Sequence, residues 1–209
     1  MAKPRSGYRG VDPQVEAEIS RLRELMPASG RMLVEITPQP QQLEVITATF
    51  PYPWRRGLRP VTINFSLWPE LPRPQRDLLL LRTVAWLLQV QWFKADWFQG
   101  LTLAGLAGTG FELFQQDAVG VLVAGGLTAV AARQLWRDFR SPQRELDADQ
   151  EAIAVAQRRG YSLPEAARCL GEAIEASAAL GGRPHLTAAE LMRLQNLKAI
   201  RGNATTAKP

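Results

Sequence analysis

Gln75-Arg-Asp-Leu-Leu-Leu-Leu-Arg82-Thr83-Val-Ala-Trp86-Leu-Leu88 is the stretch on which the fold turns. Pro72 and Pro74 precede it, and the helix it predicts runs from Gln75 to Val90 or beyond. The run is apolar nearly all round. A helix of that kind belongs deep inside protein, because Asp77 and Arg82 interrupt it too early for a membrane span. The rest of the chain must therefore supply cover on several sides. On the N-terminal side, Asp12-Pro13 is an N-cap followed by proline at the first helical position. Val15, Ile19, Leu22 and Leu25 recur at helical spacing and end near Met26-Pro27. Met32, Val34 and Ile36 alternate as in a strand, Leu43–Phe50 is rich in β-formers, and Pro38-Gln-Pro-Gln-Gln42 between them suits a hairpin turn. A third strand is expected at Val61–Phe65.

On the C-terminal side, the segment 97–136 holds two apolar stretches flanking a polar link, Glu112–Asp117. Leu101, Gly105 and Gly108 mark the first stretch; Gly120, Gly125 and Ala129 mark the second. Small residues four apart let two helices approach closely. Each uncharged core is about 15 residues, roughly 22 Å of helix, against about 20 residues for a full span. Glu112 and Arg133 would have to sit near the ends and snorkel. Lys94 before the hairpin and Arg133, Arg137, Arg140 and Arg144 after it put both ends on the cytoplasmic side. The alternative is a buried helical hairpin within a soluble domain.

The last third reads as helices. Asp147–Arg159 is closed by Gly160 as a left-handed cap. Ser162-Leu-Pro-Glu165 and Thr187-Ala-Ala-Glu190 are capping boxes, and the second opens a helix running to about Ile200. The 209 residues carry a net charge of +5, with 46% hydrophobic and 22% charged residues, so the chain is an ordinary folded protein. The single Cys169 forms no internal disulfide, and the single His185 excludes a zinc site that needs two or three histidines. His185 is expected at the surface and Cys169 in the core. The polar, basic Met1–Gly10 is not expected to act as a secretory leader, since no apolar run follows it. No phosphate-cradling glycine loop appears.

The order of helix, strands, buried helix, apolar hairpin and then Glu145-Leu-Asp-Ala-Asp149 resembles the integral-membrane zinc metallopeptidases of the CAAX-prenyl-protease and HtpX type. In that family a His-Glu-x-x-His helix precedes a pair of hydrophobic helices, and a Glu-x-x-x-Asp helix supplies the third ligand. Glu145 and Asp149 match that pair, and Gly160-Tyr161 matches the break that follows. Arg82, Thr83 and Trp86 stand where the two histidines and the general-base glutamate should be. Arginine and tryptophan offer zinc no lone pairs, and threonine cannot activate its water. The resemblance therefore implies a degenerate site of Arg82, Thr83, Trp86, Glu145 and Asp149, with no metal and no catalytic residue. An unpaired guanidinium in an apolar helix is costly. Arg82 is accordingly expected to face Glu145 or Asp149 in place of zinc, the alternative being that it reaches the surface and pairs with Asp77 or with water. The chain is also similar over nearly its full length to an uncharacterised cyanobacterial family of unknown function. The motifs are Met26–Arg31, Gln75–Arg82, Asp117–Gly120, Arg158–Tyr161 and Leu191–Leu197.

These readings converge on an α+β fold: mostly helical, a small antiparallel sheet, a metallopeptidase-like (zincin-like) core and a central hydrophobic hairpin. The expected organisation is a flexible 1–11, one domain over 12–202 and a flexible tail at 203–209. The expected function is non-enzymatic, a membrane-associated scaffold or assembly protein on the cytoplasmic face, thylakoid in cyanobacteria. Membrane lipid and an unidentified protein are its partners. No cofactor, small-molecule substrate or nucleic acid is expected. The alternatives are a metallopeptidase-like enzyme with an atypical site, or a soluble, cytoplasmic regulatory or nucleic-acid-binding module.

Overall fold

A computed structural model describes residues 12–51, 57–89 and 142–206. In chain order these form α1 (Pro13–Leu25), α2 (Ala28–Leu33), β1 (Val34–Pro38), β2 (Ile46–Ala48), β3 (Arg59–Ile63), a 3-10 turn (Trp68–Glu70) and α3 (Arg73–Gln89), then α4 (Pro142–Gln157), α5 (Leu163–Leu180) and α6 (Ala188–Thr206). The chain divides into two compact units. The first joins Met1–Leu88 to Glu145–Pro209; the second is Gln89–Arg144. The hairpin expected at 97–136 lies outside the described residues.

Helix α3 organises the first unit because it is buried on two faces. Leu79, Leu80, Val84 and Leu87 join one apolar cluster with Ile19 and Leu22 of α1, Met26, the strand residues Val34, Ile36, Val61 and Ile63, and Trp68. Leu78 and Leu81 point into a second cluster with Ala152, Ile153 and Ala156 of α4, Ala166 and Leu170 of α5, and Leu194 and Leu197 of α6. The leucine run therefore reads as apolar all round because it serves two cores, each buried leucine contributing about 1.5–3 kcal/mol.

The caps lie where the sequence puts them. Asp12 accepts the Gln14 amide at 2.8 Å at the start of α1. Ser162 and Glu165 form a reciprocal box at α5. Gly160 takes φ +98°, a conformation that favours glycine. Helix α6 continues through Gly202 to Thr206, beyond the end expected near Ile200. No helix among the described residues is long and apolar enough to cross a membrane.

The sheet differs from the expected antiparallel one. Its order is β1-β3-β2, with β1 parallel and β2 antiparallel to β3. No β1–β2 hairpin forms. Val61 and Ile63 are both fully buried, so the most apolar strand takes the centre and β2 hydrogen-bonds on its far side. Gln42 holds the intervening loop across β3, its side-chain amide donating to the Thr62 carbonyl at 3.2 Å, while Asn64 donates to the Gln42 carbonyl at 2.7 Å. Pro60 fits the central strand because β2 pairs only with Val61–Ile63. The alternation that begins at Met32 is also partly misleading: Met32 belongs to the unexpected α2 and is 75% exposed.

Helix α2 docks on α3 through Gly30. A Cβ built there would lie 2.8 Å from Val84 Cγ1. An exposed helical Gly→Ala change gains up to about 1 kcal/mol, but this contact reverses the sign. Gly30→Ala is expected to destabilise by about 1–3 kcal/mol in urea unfolding, and combining it with Val84→Ala should give less than the sum of the two losses.

Candidate functional site

The second core contains one charged residue that is fully buried. Asp149 of α4 is 0% exposed, and it is tolerated because Arg193 of α6 grips it with two parallel bonds, Nε to Oδ2 at 2.8 Å and Nη2 to Oδ1 at 2.7 Å. A bidentate guanidinium–carboxylate pair is the strongest arrangement these groups offer. Arg82 reaches the same place from α3. Its Nη2 pairs with Glu145, one helical turn before Asp149, and its Nε lies 3.7 Å from Asp149 Oδ1. Two cations thus meet two carboxylates, and three helices that are far apart in sequence are joined at one point.

The cluster borders a cleft of about 190 Å³ lined by Arg82, Thr83, Arg193, Arg183 and Glu190 above the apolar Leu79 and Ile174. Burial, and then the neighbouring Arg193, push the Arg82 guanidinium below the usual arginine range; Asp149 and Glu190 pull it back up. Glu190 is held by Arg183 at 2.7 and 3.0 Å and bonded by Thr187 as the capping box of α6. The Arg183 bonds lead in lowering its carboxyl to about 2.

A second polar network ties the other end of α3 to α1. Glu18 accepts four bonds, from Arg21 Nε and Nη2 at 2.8 Å, Arg76 Nη1 at 3.0 Å and Trp68 Nε1 at 3.1 Å. Asp77 accepts Arg21 Nη1 at 2.6 Å and the Tyr161 hydroxyl at 2.8 Å. Tyr161 is raised by burial and by Asp77. Arg159 reaches the Leu25 and Met26 carbonyls at 3.2 and 3.1 Å, satisfying the end of α1. Arg21, Asp77, Arg159 and Tyr161 line an open hollow of about 430 Å³.

Of the residues singled out in the sequence, the structure brings Arg82, Glu145 and Asp149 together. Thr83 donates its hydroxyl to the Leu79 carbonyl at 2.8 Å, within its own helix. Trp86 packs edge-on to Phe50, ring centres 6.1 Å apart. Asp77 belongs to Arg21 and Tyr161, away from Arg82's partners. His185 is exposed and Cys169 buried, burial raising the thiol. Leu101, Gly105, Gly108, Gly120, Gly125 and Ala129 lie outside the described residues. No three His, Cys, Asp or Glu side chains converge as metal ligands among the described residues. Sequence reasoning missed Arg193 as a site residue. Arg193 lies four residues before Leu197, at the border of the apolar stripe of α6, where an arginine is ordinarily solvated, so no sequence signal marks it as internal. It also missed Glu18 as a hub, which no motif marks.

Comparison with known proteins places these observations. Residues 20–161 match the family described as "Protein of unknown function (DUF3318)". The "Thylakoid membrane protein slr1949" of Synechocystis sp. (strain ATCC 27184 / PCC 6803 / Kazusa) is 31% identical over 118 residues, 55% of this chain and 56% of that protein. The match thus spans little more than half the length of the relative. No solved structure matches the chain.

Proposed function

The chain belongs to the family Protein of unknown function (DUF3318), and from that premise we propose that it is a non-enzymatic scaffold that holds an apolar hairpin in a thylakoid-type membrane and presents a folded unit to a protein partner. One observation carries the reading. Both carboxylates of the Glu145/Asp149 pair are committed to arginines, Asp149 to Arg193 in two bonds and Glu145 to Arg82. In the peptidase-like arrangement that the element order resembles, the helix bearing this pair would supply the third zinc ligand. Here a guanidinium stands in place of zinc and joins α3 to α4 as a mechanical tie. The chemistry of the set agrees: guanidinium groups donate hydrogen bonds and have no lone pair for a metal. The relative's printed name and the apolar 97–136 stretch support a membrane location.

The test uses the full chain expressed in cyanobacterial cells. The protein should stay in the membrane pellet after a carbonate wash, carry far less than one zinc per chain, and leave casein uncut. Release by carbonate would overturn the membrane reading. Stoichiometric zinc with chelator-sensitive cleavage would overturn the scaffold reading.

A further inference from the structure

We propose that the surface formed by Met32, Leu33 and Leu58 rests on an anionic lipid bilayer, so that the first unit touches the membrane with its own side chains. The inference deepens the membrane reading above and depends on it. These three apolar side chains are 75%, 42% and 51% exposed. Leu33 and Leu58 each immediately precede a strand residue of the first β1–β3 pair, Val34 and Arg59. The parallel register therefore brings both to the same end of the β1–β3 pair, with Met32 next in the chain. Contiguous exposed apolar side chains mark an interaction surface rather than ordinary surface scatter.

The position of the patch selects the occupant. Gly30 sits against Val84 of α3, and Arg59 donates to the Leu87 carbonyl, so the patch belongs to the C-terminal end of that helix. The chain leaves the first unit at Leu88 and re-enters at Glu145. Glu145 pairs with Arg82, about 9 Å along the helix from Leu88. The exit at Leu88 thus lies at the end of the first unit that carries the patch, and the re-entry at Glu145 pairs with the middle of α3. If the apolar segment enters a bilayer, the end that carries the patch faces the headgroups. The exposed Arg31 beside Met32 offers a cation to an anionic headgroup next to the apolar side chains.

Leu33→Cys and Leu58→Cys, introduced singly in the full chain, would be labelled with an environment-sensitive fluorophore; Arg158→Cys serves as the control. Arg158 is exposed and lies near Tyr161, the partner of Asp77, about 16 Å along α3 from Leu88. The buried Cys169 should stay unlabelled, which the parent protein checks. Each variant is floated with vesicles of phosphatidylcholine plus phosphatidylglycerol, and with phosphatidylcholine alone. The expected result is a blue shift of emission at positions 33 and 58, none at 158, with a smaller shift on the neutral vesicles. Flotation with unshifted probes at 33 and 58 would overturn this inference and leave the membrane reading standing. Equal shifts on neutral and anionic vesicles would overturn the anionic preference. Failure to float would overturn both readings.

Discussion

Replacing Asp149 with alanine will destabilise the first unit by about 3–5 kcal/mol, the range for stranding a buried charge by removing its partner. The stranded groups are Arg193, 7% exposed, and Arg82, whose Nε would lose its nearest carboxylate oxygen on Asp149. For a chain of this size the change corresponds to a fall in Tm of roughly 10 °C. Loss of methylene packing alone cannot give that figure, because aspartate to alanine removes little apolar surface. The decisive comparison is a double-mutant cycle in urea. Arg193→Met alone strands Asp149 and should also be severe. Asp149→Ala combined with Arg193→Met should be milder than the sum by about 1–3 kcal/mol, since neither partner then remains to be orphaned. Additive losses, or a loss below about 1 kcal/mol for Asp149→Ala, would mean the cluster is a surface ion pair of small value.

Glu18→Ala ranks next, at about 2–4 kcal/mol. Four donors lose their acceptor, and one of them, the indole N–H of the fully buried Trp68, has no access to water. The same residue predicts an acid limb. The Arg21 bonds lead in lowering the Glu18 carboxyl to about 2 from an ordinary 4.5. A carboxyl whose folded-state pKa is depressed gives stability that is complete above the unfolded value and fades as pH falls. The loss should therefore appear between about pH 4.5 and 2, and in the Glu18→Ala protein the slope of stability against pH across that window should be shallower. Equal slopes in the two proteins would show that Glu18 is not the titrating group.

Much of this architecture is written locally. The caps at Asp12, Ser162 and Thr187 and the Gly160 terminator act over three or four residues, so they are legible from sequence alone. The leucine run of α3 was legible as buried, though not the reason, which is that two separate cores share it. Strand order was not legible. Proximity in the chain suggests a β1–β2 hairpin, but the choice of central strand depends on which strand has both neighbours to gain, and Val61 and Ile63 settle that only in three dimensions. The short α2 was hidden because Met32, Val34 and Ile36 imitate a strand across a helix–strand junction. In the candidate site, Arg82 was conspicuous as a charge in an apolar helix, and its two carboxylates were reached through an element-order resemblance. Arg193 was not, because an arginine in a polar-looking helix is ordinarily solvated, and only the packing of α6 on α4 makes it internal.

The division of the first unit between two stretches of chain has a consequence for synthesis. When a ribosome has delivered α1 to α3, Leu78 and Leu81 lack the partners that will cover them, because α4, α5 and α6 have yet to be made. The apolar 97–136 stretch emerges before those helices do. Domains fold as units once their residues are available, so that stretch has left the ribosome before the second core can close. The Arg82–Glu145 contact can form only afterwards, and its formation would report that the nascent protein has been completed.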